Sequence, residues 1–146
     1  MNHPSITVLR HADAQVAEDV NRLISQLGKE SPPHTVAHLE RLIASEASTV
    51  LTARAGTRII GMLTLVLTIL PTGVVARLED VVVDDAHRGR GIGPALVRAA
   101  LDEATRHGAH QVDLTSRPSR VSAHRLYEKT GFIRRQTHVF RYRIDS

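Results

Sequence analysis

The sequence predicts an α/β fold in one domain, and three observations support this prediction. Residues 14–43 carry apolar side chains at helical spacing, whereas residues 49–83 have the pattern of extended segments divided by tight turns. An apolar strand, a glycine-rich loop and a helical pattern then follow one another between residues 81 and 107. The chain has 146 residues, of which 42% are hydrophobic, so one domain with a substantial core is expected.

Helix caps, turns and breaks set the limits of the predicted elements. Asp13 can cap the first helix, Gly28 can end it, and Pro32 separates it from the second helix. Gly56 marks a hairpin turn. The predicted order is a strand at residues 6–9, helices at 13–28 and 36–43, three strands between 49 and 83, a helix at 92–107, a strand at 110–115, a helix at 119–129 and a strand at 137–144.

The glycine-rich loop is the clearest functional signal in the sequence. The first N–H groups of a helix lack intrahelical acceptors, and the helix dipole favours negative charge beside them. Glycines allow the loop to turn tightly and let a ligand approach the backbone. A phosphate or pyrophosphate site is therefore predicted. Its residues are Arg88, Gly89, Arg90, Gly91, Ile92 and Gly93.

The spacing of the glycines narrows the choice of phosphate ligand. Gly89, Gly91 and Gly93 do not fit the dinucleotide pattern G-x-G-x-x-G, and no Lys-Ser or Lys-Thr pair completes a P-loop. The pattern that remains is R-x-x-G-x-G, which begins at Arg88. The alternative is an exposed loop that binds no ligand.

Two segments resemble the GNAT superfamily of N-acetyltransferases. The R-x-x-G-x-G pattern is similar to that family's acetyl-CoA pyrophosphate loop, and residues 123–132 resemble its segment A-x-x-L-Y-E-K-x-G-F. With the preceding strand, the resemblance covers residues 74–132, which is the cofactor-binding half of the family. Residues 78–83 are also similar to the matching strand of glucosamine-6-phosphate acetyltransferases. The resemblance implies a mixed, mostly antiparallel sheet with helices on both faces.

The resemblance also implies the roles of individual residues. The loop would bind the pyrophosphate of coenzyme A through backbone N–H groups, and the strand Val81, Val82 and Val83 would pair with the pantetheine arm. Tyr127 matches the tyrosine that protonates the departing thiolate. Seven residues earlier, where the family often has asparagine, this chain has Arg120, which could contact a phosphate or a substrate anion instead.

Glu79 is the candidate general base for attack of an amine on a thioester. An ammonium group must lose a proton before it can attack, and a nearby carboxylate can accept that proton directly or through water. Glu79 interrupts an apolar strand, where burial would raise its pKa. The alternative is an ion pair with Arg77 or with another basic residue on a neighbouring strand. Asp80 should face the other way along a regular strand and is interpreted as structural.

Composition limits the other classes of function. The chain has no cysteine, so thiolate metal sites and a cysteine nucleophile are excluded, and its nine histidines show no metal-ligand spacing. No metal cofactor is expected. The longest apolar stretch, residues 59–70, is too short to span a bilayer, and no leader pattern opens the chain. These features predict a cytoplasmic protein that does not enter membranes.

The predicted reaction is therefore acetyl transfer from acetyl-CoA to a primary amine of a small molecule, and the sequence does not identify the amine. The alternatives are a non-catalytic sensor of acyl-CoA and an acetyltransferase that acts on protein or peptide amines.

The basic C-terminal third could contact nucleic acid, but it lacks interleaved aromatic residues and any binding motif, so its charges are interpreted as solvated. A homodimer through residues 137–144 is compatible with the sequence.

Overall fold

The structure, a computed structural model, describes residues 4–28 and 31–145. The chain divides between Thr115 and Ser116 into two compact units. The prediction of one domain is not tested by this division and stays a prediction. In order, the elements of the first unit are β1 (Ser5–Val8), α1 (Ala14–Gln26), α2 (Val36–Ala44), β2 (Ser48–Ala55), β3 (Arg58–Leu70), β4 (Gly73–Val83), α3 (Ile92–Arg106) and β5 (Val112–Asp113), and the second unit contains α4 (Val121–Thr130).

The described strands form one mixed sheet in the order β1-β2-β3-β4-β5. The first four strands pair antiparallel, and β5 pairs parallel with β4. The first hairpin turns at Gly56, as the sequence predicts, and the second turns at Pro71 and Thr72, just before β4 begins at Gly73. Asp13 caps α1 by accepting a hydrogen bond from the Val16 N–H at 2.9 Å, which also agrees with the prediction.

Helices cover both faces of the sheet. Val16, Val20 and Leu23 of α1 are buried in a cluster that includes Met62 on β3 and Val82 on β4. The adjacent Gly61 instead faces α3, because a Cβ added there would lie 3.1 Å from side-chain atoms of both Ile92 and Leu96. Successive residues of a strand point to opposite faces. The sheet therefore lies between α1 and α2 on one side and α3 on the other, which confirms the predicted fold class.

The C-terminal strand is the element that the sequence predicts wrongly. Residues 137–144 alternate apolar and basic side chains, but the structure assigns no strand there. Phe140 and Tyr142 are each 91% exposed, and Ile144 is 89% exposed. Alternation predicts which side chains would share a face, but a strand also needs a neighbouring strand for its backbone hydrogen bonds. The predicted strand at 110–115 is likewise reduced to Val112–Asp113.

A buried carboxylate fixes α1 to the start of β3. Asp19 is 1% exposed, and its Oδ1 accepts hydrogen bonds of 2.8 Å from both Arg22 and Arg58. Its Oδ2 accepts a bond of 3.0 Å from the Ile59 N–H. Burial by itself would raise the pKa of Asp19, but the bonds from Arg58, Ile59 and Arg22 together lower that pKa below its ordinary value.

Replacement of Asp19 by asparagine is expected to lower the free energy of unfolding by about 3 kcal/mol, the low end for a broken buried ion pair, since both arginines are partly exposed. Because the pKa of Asp19 is lowered in the folded protein, its ion pairs stabilise the fold above the ordinary pKa of an aspartate carboxyl. This stabilisation is lost as the pH falls through the pKa that Asp19 has in the folded protein. Urea unfolding at neutral and acidic pH tests both statements. Glu18→Gln, an exposed neighbour, should change stability by less than about 0.5 kcal/mol. Equal stability of Asp19→Asn and the wild type at neutral pH would contradict the account.

Candidate active site

A β-bulge interrupts β4 next to the candidate base. Glu79 lies opposite Thr64 and Val82 lies opposite Met62, so β4 has one more residue than β3 over this stretch. Asp80 has a φ of +53°, in the left-handed region that few residues other than glycine adopt. The prediction that Asp80 faces away from Glu79 assumed a regular strand, and the bulge removes that assumption.

Glu79 is less buried than the sequence predicts. Its Oε1 lies 3.1 Å from the Arg77 Nε, and the two side chains are 40% and 41% exposed. The expectation of a buried carboxylate is therefore wrong, and the ion pair considered as the alternative is present. Exposed ion pairs of this kind contribute only about 0–1 kcal/mol, so the carboxylate can exchange Arg77 for another cation at little cost.

The outer edge of β4 is open beside these residues. β5 pairs with β4 at Ala76 and Arg77, and no described strand continues that ladder along the stretch that includes Val81 and Val83. An unpaired strand edge offers N–H and C=O groups to an extended ligand. The side chain of Val82 is 3% exposed and packs in the α1 cluster, so this residue could offer a ligand only its backbone.

The glycine-rich loop follows a short 3₁₀ turn, Asp85–His87, and leads directly into α3. Gly89 and Gly91 have φ angles of +77° and +78°, which explains the need for glycine at both positions. A Cβ added at either glycine would meet no atom within 4 Å, so space is open beside both. Because the first N–H groups of α3 have no intrahelical acceptors, the loop can bind an anion.

The two arginines of the loop are exposed. Arg88 pairs with Asp85 at 2.8 Å, and the two side chains are 59% and 64% exposed. A pair so exposed is weak and can open when a phosphate approaches. Positive charge is thus present beside the N-terminus of α3 and can be redirected to a ligand.

Tyr127 lies on α4, in the unit formed by the residues after Thr115. Its ring is 7% exposed and packs edge-on against Phe132, with the ring centres 5.9 Å apart. Burial raises the pKa of Tyr127 above its ordinary value, and the positive charge of Arg120 lowers that pKa by a smaller amount. The phenol is therefore protonated at neutral pH and has a proton to donate. The influence of Arg120 on this phenol is a feature that the motif alone does not indicate.

Gln26 is a residue at the site that sequence reasoning missed. Its side chain bonds to the turn before the glycine-rich loop, across 58 positions of sequence. No motif contains it, and its place near the end of an amphipathic helix gives no local signal.

Elsewhere in the described part of the chain, no group of three or more His, Asp or Glu side chains could hold a metal ion. No described helix is long and apolar enough to cross a bilayer.

The chain is similar to several known proteins. The profile of the acetyltransferase (GNAT) family matches residues 17–132. Glucosamine 6-phosphate N-acetyltransferase 1 from Oryza sativa subsp. japonica is 36% identical over 70 residues, which are 48% of this chain and 41% of the rice protein. This chain thus spans less than half the length of that curated relative.

Two solved structures show the same fold. An aminoglycoside acetyltransferase, meta-AAC0020, from an uncultured soil metagenomic sample has a TM-score of 0.86, with 22% identity over 97% of both chains. AAC(6')-Iy in complex with the bisubstrate analogue CoA-S-monomethyl-acetylneamine has a TM-score of 0.77, with 21% identity over 99% of this chain and 100% of that one. The family profile covers both predicted segments, the glycine-rich loop and the segment that ends at Phe132. The chain therefore belongs to the GNAT acetyltransferase family.

Proposed function

We propose that the protein transfers the acetyl group of acetyl-CoA to a primary amine of a small molecule by direct attack, without a covalent enzyme intermediate. The observation that carries this proposal is the loop with open space at Gly89 and Gly91, directly after the unpaired edge of β4. A pyrophosphate and an extended pantetheine arm need those two features side by side. The fold shared with AAC(6')-Iy, which was solved with a CoA analogue, supports the same assignment.

The loop and the strand edge divide the binding of coenzyme A between them. The backbone N–H groups from Arg88 to Gly93 would bind the pyrophosphate, with the exposed Arg88 and Arg90 adding positive charge. The backbone of Val81 and Val83 would pair with the pantetheine arm as an added strand does. When bound, acetyl-CoA supplies an activated acyl carbon and a thiolate that leaves easily.

Glu79 would act as the general base. A carboxylate that is 40% exposed can meet an incoming ammonium group, displace its own pairing with Arg77, and accept a proton directly or through water. Glu79 precedes the bulge at Asp80 and lies two residues before Val81, where the strand edge assigned to pantetheine begins. A backbone N–H near Val81 would donate to the thioester oxygen as negative charge develops there.

Tyr127 would act as the general acid that protonates the departing thiolate. The raised pKa of this phenol keeps it protonated over the neutral range, as an acid requires. Its place in the sequence segment shared with the family supports the role.

Replacement of Tyr127 by phenylalanine is expected to lower kcat by about tenfold, less than the ~10²–10⁴-fold typical of acid–base groups, because a thiolate is already a stable leaving group. Steady-state assay of thiol release measures the effect. Tyr142→Phe, which alters an exposed tyrosine, is the matched control and should leave kcat unchanged. Full activity of Tyr127→Phe would remove the acid role.

The names of two similar proteins suggest where a substrate search should begin. One acts on glucosamine 6-phosphate and the other is an aminoglycoside acetyltransferase, so both names point to amino sugars. A thiol-release assay with acetyl-CoA should start with these compounds and continue with polyamines, amino acids and peptide amines. Turnover of a small amine supports the proposal, and turnover of peptide amines alone would assign the protein to peptide acetylation instead.

A non-catalytic sensor of acyl-CoA is the second candidate, and the pairing of Glu79 with Arg77 favours it, since the ion pair gives this carboxylate a structural role that needs no catalysis. A sensor would bind acetyl-CoA and release no thiol with any amine.

A homodimer and a cytoplasmic location remain parts of the proposal. Light scattering after size exclusion separates a dimer from a monomer.

A further inference from the structure

We propose that Gln26 is a positioning residue for cofactor binding, because its amide fixes the end of α1 to the turn that leads into the glycine-rich loop. This inference rests on the proposed function, since it assumes that the loop binds coenzyme A. Gln26 itself would touch no part of the cofactor. It would act through the loop by holding the first loop residues where their N–H groups can meet the pyrophosphate.

The Gln26 amide uses both of its ends in this contact. Its Nε2 donates to Asp84 Oδ1 at 3.0 Å, and its Oε1 accepts from the Asp85 N–H at 2.9 Å. A carboxylate can only accept and a backbone N–H can only donate, so the chemistry of the partners fixes which way the amide points. Only glutamine can make both bonds at this position with one side chain of this length.

Asp84, the partner of Gln26, also bonds to β3 and to the last residue of the turn. Its N–H donates to the Ile60 carbonyl at 2.8 Å, which holds it to β3. Its Oδ2 lies 3.2 Å from His87 Nδ1, and its carbonyl accepts from the His87 N–H at 2.8 Å. The hydrogen bond from Gln26 is the largest of the effects that together lower the pKa of Asp84 below its ordinary value. The carboxylate is therefore charged at neutral pH and is a strong acceptor.

The loop thus has a separate support at each end. At its far end, Ile92 and Leu96 pack against β3 so closely that a Cβ on Gly61 would lie 3.1 Å from each. At its near end, the support is the Gln26 bridge. Between them, a Cβ added at Gly89 or at Gly91 would meet no atom within 4 Å. Several N–H groups of the loop must point at one ligand. If the near end of the loop is loosened, ligand binding must order it again, and the entropy lost in doing so weakens the affinity.

The helix that carries Gln26 is itself rigidly placed. Asp19 and Arg22 of α1 bond to the backbone of Ile59, through the N–H at 3.0 Å and the carbonyl at 2.6 Å respectively. A fixed helix can hold the loop, whereas a mobile one could not. The same helix also provides a matched control. Asn21 makes a similar two-bond bridge, but to the backbone of His34 on the way to α2, at 3.0 and 2.8 Å.

The test compares Gln26→Ala with Asn21→Ala by isothermal titration. The probes are coenzyme A and its nucleotide half, adenosine 3′-phosphate 5′-diphosphate, which keeps the pyrophosphate but lacks pantetheine. Each variant loses two hydrogen bonds from α1, so general destabilisation should be similar. Gln26→Ala is expected to raise the Kd of both probes by about tenfold. Asn21→Ala should change neither by more than about twofold.

The variant Gln26→Glu provides a second test of the positioning role if the alanine variant is poorly folded. It keeps the size and the acceptor for the Asp85 N–H but places a negative charge beside Asp84, so both Kd values should again rise about tenfold. Wild-type affinity for both probes in a folded Gln26 variant would overturn the positioning role, as would an equal loss in Asn21→Ala. If the wild-type protein binds neither probe, the proposed function fails and the inference fails with it.

Discussion

Replacement of Glu79 by glutamine is expected to lower kcat by about 10²–10⁴-fold while the Kd of acetyl-CoA stays within about twofold of the wild type. Glutamine keeps the size and hydrogen-bonding capacity of the side chain but cannot accept a proton from an ammonium group. The binding surface assigned to coenzyme A, formed by the strand edge and the loop, is unchanged by the substitution. Steady-state kinetics of thiol release and titration with acetyl-CoA measure the two quantities separately.

Arg77→Gln is the matched variant for this experiment. If Glu79 is the base, removal of its partner leaves the carboxylate in place and most of the turnover remains. If the pair has only a structural role, the two variants should lose the same small amount of stability and retain similar turnover. Unchanged turnover of Glu79→Gln at every pH would remove Glu79 as the base.

Replacement of Gly91 by tryptophan is expected to raise the Kd of acetyl-CoA by more than about 100-fold. The space beside Gly91 is open within 4 Å, and the pyrophosphate is proposed to bind there. An indole ring there would occupy it and cover the N–H groups at the start of α3. A 100-fold loss corresponds to about 2.7 kcal/mol, more than the ~0.5–1.5 kcal/mol of one ordinary hydrogen bond.

Gly108→Trp controls for the strain that the substitution introduces. Gly108 follows the other end of α3, has a φ of +79° against +78° at Gly91, and also has nothing within 4 Å of an added Cβ. Both variants pay the same cost of about 1–2 kcal/mol for a side chain in the left-handed region. Only Gly91→Trp should lose binding. Retained affinity in a folded Gly91→Trp protein would show that the ligand does not use the loop.

Local patterns in the sequence were sufficient to predict most elements and the loop. The cap at Asp13, the turn at Gly56 and the helical spacing of α1 depend on neighbours within a few positions, so they can be read directly. The loop is also a local feature, because strand, glycines and helix follow in order. The family follows from it and from the segment around Tyr127, and the family profile confirms it.

Features that depend on distant residues could not be predicted. Two contacts connect positions that lie far apart in the sequence: the hydrogen bond from Gln26 to Asp84 and the ion pair between Arg58 and Asp19. No helical or strand periodicity relates the residues of either pair. The bulge at Asp80 depends on the register between β4 and β3, which periodicity within one strand does not determine. The exposure of Glu79 could not be predicted either, because the apolar pattern of a strand does not reveal which of its side chains other elements cover.

Isothermal titration of the purified protein with acetyl-CoA, CoA and NAD shows whether the loop from Arg88 to Gly93 binds coenzyme A. Acetyl-CoA and CoA are expected to bind saturably at one site per chain, and NAD is expected not to bind. Absence of heat with both coenzyme A species, from a protein shown to be folded, would contradict the claim and leave the loop as a turn between β4 and α3.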